Sequence, residues 1–137
     1  MKNILAIDYG KKRWGLAFCD ELRVVFTLPA AVQLAEKERF THLESLLKSR
    51  KVDTLLVGLP LSLEGQKTPM TEEVEKFIEV LKKYNLPIKT IDEALSSYSA
   101  AESLPKKSLK KGLPKRDGSV DSKAAALILE DFLGQNP

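Results

Sequence analysis

Three carboxylates stand where strand-like stretches give way to turn-like or helix-like ones. They are Asp8 in Ile4-Leu5-Ala6-Ile7-Asp8-Tyr9-Gly10, Glu93 in Ile91-Asp92-Glu93, and Asp121 in Gly118-Ser119-Val120-Asp121-Ser122-Lys123. Strand ends form the open edge of an α/β sheet, which is where such folds build sites. Acids converging there repel one another unless cations sit between them. Mg²⁺, a hard ion that takes oxygen ligands and keeps several waters, suits that place. The chemistry indicated is metal-assisted cleavage of phosphodiesters. Each acid also has a plainer reading. Asp121 in a first helical turn favours the helix dipole whatever its function, Asp8 ahead of Gly10 could be a turn former, and Asp92 with Glu93 could be a solvated pair at a strand exit. The residues alone do not choose between Asp92 and Glu93.

The elements that must position these acids follow from hydrophobic spacing. Residues 3–8 read as a buried strand and residues 14–19 as a second, joined by the turn Gly10-Lys11-Lys12-Arg13, with residues 23–28 as a third that closes an antiparallel meander. Phe40, Leu43, Leu46 and Leu47 repeat at helical spacing over residues 36–50, whereas His42 falls off that stripe and is expected at the surface. Residues 54–58 form a short buried strand and residues 59–65 a loop. Thr68-Pro69 signals an N-cap with proline in the first helical position, and Val74, Phe77, Ile78 and Leu81 line one face of the helix that follows. Residues 87–91 make another strand and residues 94–104 a short helix. Residues 105–118 hold prolines, glycines and bases and predict a mobile loop. A final helix is expected with Ser119 as cap, a core stripe of Ala125, Ile128, Leu129 and Phe132, and Gly134 as stop. A meander followed by parallel crossovers makes an α/β fold, a mixed sheet of three antiparallel and two further parallel strands flanked by helices.

At 137 residues the chain fits one domain over residues 1–137, long enough to bury a core. The lone Cys19 cannot form an internal disulfide, and no stretch nears the roughly 20 apolar residues of a membrane helix. A soluble cytoplasmic protein without membrane contact is the expectation. Net charge is +3 but uneven: between residues 101 and 123 seven bases face three acids, so that segment carries +4 and the rest of the chain −1. Lys106, Lys107, Lys110, Lys111, Lys115 and Arg116 are therefore candidate phosphate contacts, as are Lys12 and Arg13 beside Asp8. Tyr9 and Trp14 could stack a base, although core packing accounts for them more simply.

Four pieces in order resemble the YqgF family, also called RuvX, within the ribonuclease H-like superfamily. They are Ile7-Asp8-Tyr9-Gly10 with Lys12, Arg13 and Gly15; Val57-Gly58-Leu59-Pro60-Leu61 with Gly65; Asp92-Glu93 with Leu95-Ser96-Ser97; and Val120-Asp121 with Ala124-Ala125 and Ile128-Leu129. The resemblance covers residues 4–133. It implies a ribonuclease H-like fold and a divalent-metal nuclease, with Asp8, Glu93 and Asp121 as the catalytic acids. On the general two-ion pattern of phosphodiester cleavage, these acids are expected to bind Mg²⁺ or Mn²⁺, two ions in all. The resemblance implies a substrate in the small-subunit ribosomal RNA precursor or, alternatively, in four-way DNA, with ribosome association possible and no oligomeric state specified. The chain departs from the family pattern at Lys11, where a small hydroxyl residue is usual, at Ala94, where an Arg commonly follows the Glu, and at Glu130, where Gln is common. Two other classes compete. Asp8 and Gly10 ahead of a hairpin also resemble the phosphate-binding opening of actin-like sugar kinases and ATPases, and a non-catalytic nucleic-acid-binding module would use the bases alone.

Overall fold

The computed structural model describes residues 2–62, 64–94 and 119–136. Five strands, β1 (Ile4–Tyr9), β2 (Trp14–Cys19), β3 (Val25–Ala31), β4 (Thr54–Leu61) and β5 (Ile88–Ala94), form one sheet in the order β3-β2-β1-β4-β5. Pairs β1–β2 and β2–β3 are antiparallel, while β1–β4 and β4–β5 are parallel. This is the mixed sheet expected. Among the described residues the α-helices are α1 (Glu36–Ser49), α2 (Pro69–Leu81) and α3 (Ser119–Gln135), with a 3₁₀ turn over Lys82–Tyr84.

Strand alternation sorts the core into two layers. Leu5, Ile7, Leu16, Phe18, Leu55 and Val57 pack with Leu43 of α1 and with Val74, Phe77 and Leu81 of α2. Ile4, Ala6, Ala17, Cys19, Leu56 and Ile91 face the other way, against Ala125, Ile128, Leu129 and Phe132 of α3, which are the four residues its stripe predicts. Trp14 is fully buried against Phe40 and Phe77, with ring centroids 4.7 and 4.8 Å away, and half-buried Tyr9 packs on Phe77 at 4.6 Å. Both aromatics pack in the aromatic layer on the α1–α2 side of the sheet.

Several boundaries differ from expectation, each for a physical reason. The third strand starts at Val25, because Arg23 takes a left-handed turn (φ 63°) and its guanidinium donates to the Leu133 and Asn136 carbonyls at 3.0 and 2.6 Å, closing the end of α3. It continues past Leu28 through Pro29, which sits on the sheet's edge strand at an irregularity in the β2–β3 register, a place where a missing N–H is tolerated. Leu59, Pro60 and Leu61 belong to β4 and pair with Asp92, Glu93 and Ala94; they are not loop. Thr71 secures this extension by donating to the Pro60 carbonyl, while Thr68 and Thr71 complete a reciprocal capping box ahead of Pro69. Ala94 therefore ends a strand and does not begin a helix. Gly134 does not stop α3, which runs to Gln135. His42 is half-buried, its ring nitrogens 2.8 Å from the Pro29 carbonyl and 3.1 Å from the Gln33 amide, and so it ties α1 to the edge strand.

Candidate functional site

Parity along the strands decides which acids can meet. Asp8 follows Ile4 and Ala6 at even spacing, so it lies on the α3 side of the sheet. Glu93 follows Ile91 in the same way and is buried, whereas Asp92 is exposed and has the opposite parity. This alternation places Glu93, and not Asp92, on the face that Asp8 occupies.

The ladder between β1 and β4 ends at the pair Ile7–Val57, one residue before Asp8, while β4 and β5 remain paired through Leu61–Ala94. The two halves of the sheet therefore part at Asp8. Gly58 stands on the strand between the two acids. A Cβ there would come within 2.8 Å of Ile128 Cδ1, so its absence lets that side chain of α3 pack closely on β4, with Glu93 Cγ in ordinary contact range at 3.6 Å.

Asp121 arrives from α3 through a second glycine. Gly15 is the cross-strand neighbour of Asp8, and a Cβ on it would lie 1.9 Å from the Asp121 carbonyl oxygen. With no side chain in the way, the first turn of α3 rests directly on β2 beside Asp8. Ser122 locks the contact: its buried hydroxyl accepts from the Leu16 N–H at 3.2 Å and donates to the Leu28 carbonyl at 2.7 Å. Sequence reasoning missed Ser122. The available signal was a small hydroxyl residue next to an acid in a helical first turn.

The cation at this edge is Arg13, whose Nε donates to Asp121 Oδ2 at 3.0 Å. Lys12 next to it is exposed, and Lys11 Nζ lies 3.7 Å from Glu73 Oε1. The turn that carries these bases is held from beneath by Arg39, a buried residue that the apolar stripe of α1 did not reveal. Its guanidinium lies 5.4 Å from the Trp14 ring centroid and donates to the carbonyls of Gln33 (2.7 Å), Leu34 (3.1 Å) and Lys11 (3.4 Å). Tyr9 points to the α1–α2 side, where burial and then the carboxylates of Glu73 and Glu36 raise its hydroxyl pKa. Lys106, Lys107, Lys110, Lys111, Lys115 and Arg116 lie outside the described residues, as does the helix expected after Ala94.

Asp8, Glu93 and Asp121 thus occupy one face at one end of the sheet, and their oxygens are the donor chemistry of a hard divalent ion. Among the described residues no three Asp, Glu, His or Cys side chains stand close enough to hold one ion together. The oxygen donors are of the type such an ion takes, while the three acids are not gathered about one point and the carboxylate of Asp121 is engaged by Arg13.

Residues 2–135 match the family model of RuvX, described as Holliday junction resolvase. A protein of Chlorobium phaeobacteroides named "Putative pre-16S rRNA nuclease" is 39% identical over 139 residues, covering 97% of this chain and 92% of its own. One of the same name from Opitutus terrae is 37% identical over 133 residues, covering 96% and 90%. Among solved structures, T. thermophilus RuvC in complex with a Holliday junction substrate aligns over 99% of this chain and 96% of its own, at a TM-score of 0.52 and 13% identity, a likeness of fold. The chain belongs to the RuvX family and is a nuclease of ribonuclease H-like fold.

Proposed function

We propose that this nuclease trims the precursor of small-subunit (16S) ribosomal RNA at its 5′ end in the cytoplasm, acting as a single catalytic domain in which Asp8, Glu93 and Asp121 bind two Mg²⁺ or Mn²⁺ ions. The observation that carries the reading is the pair of glycines. Gly58 lets Ile128 of α3 pack closely on β4 next to Glu93, and Gly15 lets the first turn of α3 set Asp121 against β2 next to Asp8, so both absent side chains bring α3 onto the face that carries the acids. When bound, such ions supply an activated water and stabilise the leaving oxygen of an in-line displacement. The chain's part would be to supply the anionic ligands: Asp8 from the central strand, Glu93 from the buried side of β5, and Asp121 from the first turn of α3. Lys12 and Arg13, on the turn after Asp8, would hold a substrate phosphate. The choice of substrate rests on the names of the relatives, and ribosome association follows from that substrate.

The direct test incubates purified protein with ribosomal precursor RNA and with four-way DNA, each with Mg²⁺ or Mn²⁺, beside an Asp8→Asn control. Shortening of the RNA 5′ end that the control lacks supports the proposal. Symmetric cutting of the junction with intact RNA transfers the function to junction resolution, the reading that the family description favours.

A second prediction concerns the lysine-rich segment. Each phosphate contact releases condensed counterions, giving a log–log salt slope of about −0.7 per contact on single strands and about −0.9 on duplex. Two to four contacts are expected from this run, so replacing Lys106, Lys107, Lys110 and Lys111 by Ala should flatten the slope by about one to three units. Binding to all sequences should weaken alike, since phosphate contacts position without reading bases. An unchanged slope in a filter-binding titration assigns the run to solvent.

A further inference from the structure

Resting on the metal-site reading above, we propose that Arg13 is a positioning residue that competes with the cation for Asp121. It holds the carboxylate while no ion is bound and releases it to the ion when a substrate phosphate takes the guanidinium.

The geometry leaves little else to move. The backbone at Asp121 rests on Gly15 with no room between them, and Ser122 pins the same turn to Leu16 and Leu28, so α3 cannot carry the carboxylate elsewhere. Arg13 is anchored from the other side, by fully buried Trp14 next to it and by Arg39 on the carbonyl of Lys11. Exchange must therefore occur by rotation of the two side chains. Both can rotate: their exposures are 39% for Arg13 and 30% for Asp121, which leaves the contact within reach of an ion and of a phosphate.

The chemistry favours exchange over a permanent bond. A half-exposed ion pair is screened and holds its partners weakly. Guanidinium stays charged and presents a planar fork that matches phosphate oxygens, and its contact here is made through Nε, so the terminal amino groups carry further donors. A carboxylate turned toward the face that carries Asp8 and Glu93 adds a further negative charge there, which a bound cation would offset. Metal and phosphate thus reinforce each other through Arg13: an ion on Asp121 frees the guanidinium for substrate, and substrate on the guanidinium frees Asp121 for the ion. Such coupling is reciprocal by thermodynamic necessity.

The experiment titrates Mn²⁺ into the full chain by calorimetry with no nucleic acid present. Removing the competitor should tighten Mn²⁺ binding, so Arg13→Ala and the length-matched Arg13→Gln are each expected to gain about fivefold or more, the lower range of site-to-site coupling. Lys12→Ala removes a neighbouring charge without touching Asp121 and should change the affinity far less. In an Asp121→Asn background the gain from Arg13→Ala should disappear. Unchanged or weaker Mn²⁺ binding in folded Arg13→Gln, or an equal gain in Lys12→Ala, overturns the competition while leaving the metal site standing. Mn²⁺ binding that is indifferent to Asp8→Asn overturns the metal-site reading itself.

Discussion

Replacing Asp8, Glu93 or Asp121 by its amide is expected to abolish cleavage while the protein stays folded. Each change swaps one oxygen for an NH₂ group and removes a negative charge with almost no change of shape. An amide nitrogen cannot ligate a hard divalent ion, so the acid cluster loses both charge and a donor. Loss of partners that merely orient metal ligands costs about 10–100-fold in affinity or activity. A ligand itself should cost more, and a fall of at least about a hundredfold is expected for each variant. Asp92→Asn is the internal comparison: it alters the neighbouring acid on the exposed face of the same strand and should retain cleavage within a few-fold. Thermal melts without metal should show all four variants folded. Wild-type rates in Asp8→Asn, or a collapse in Asp92→Asn equal to that of Glu93→Gln, would remove these acids from the chemistry.

The comparison of Asp92 with Glu93 shows where sequence reading reaches its limit. Continuous apolar runs place β1 and β2 within a residue, and the 3.6-residue stripe of α3 names all four of its core residues. Those patterns are legible because the residues that make them are apolar. β5 was cut short at Ile91 because acids ordinarily mark a strand exit; the strand in fact continues, and parity with Ile91 buries Glu93. Pro60 likewise argued for loop. Beyond Val57, however, β4 no longer pairs with β1, and a proline at position 60 breaks no ladder with that strand. Arg39 and Ser122 stayed hidden for a related reason: each is a polar side chain buried against backbone groups, and backbone carbonyls and N–H groups leave no trace in residue identity. The pairing of Arg13 with Asp121 spans 108 positions, a contact that only the tertiary fold can bring together.

Gly15→Ala should be among the most damaging single-atom additions in the molecule, because the new methyl would overlap backbone and not a side chain able to turn aside. Its ideal position is 1.9 Å from the Asp121 carbonyl oxygen, 2.1 Å from the carbonyl carbon and 2.8 Å from the Ser122 nitrogen. To accept it, the first turn of α3 must lift from β2. That movement stretches the two hydrogen bonds of Ser122 to Leu16 and Leu28, each worth about 0.5–1.5 kcal/mol net. Overpacking itself costs about 1–3 kcal/mol. A total near 3 kcal/mol corresponds to a fall in Tm of about 6–12 °C at this chain length. Gly134→Ala provides the contrast, since nothing lies within 4 Å of the methyl it would gain in the last turn of α3. Alanine is the better helix former there, by up to about 1 kcal/mol in a helix interior, so Gly134→Ala should hold or raise Tm. Activity separates a site effect from a stability effect. Lifting α3 displaces Asp121 from Asp8, and a 1 Å misplacement can cost about a hundredfold in rate. Gly15→Ala should therefore cleave poorly even well below its own Tm. A Gly15→Ala protein that melts and cleaves like the wild type would mean that α3 does not rest on β2 at this point, and with that contact would go the placement of Asp121.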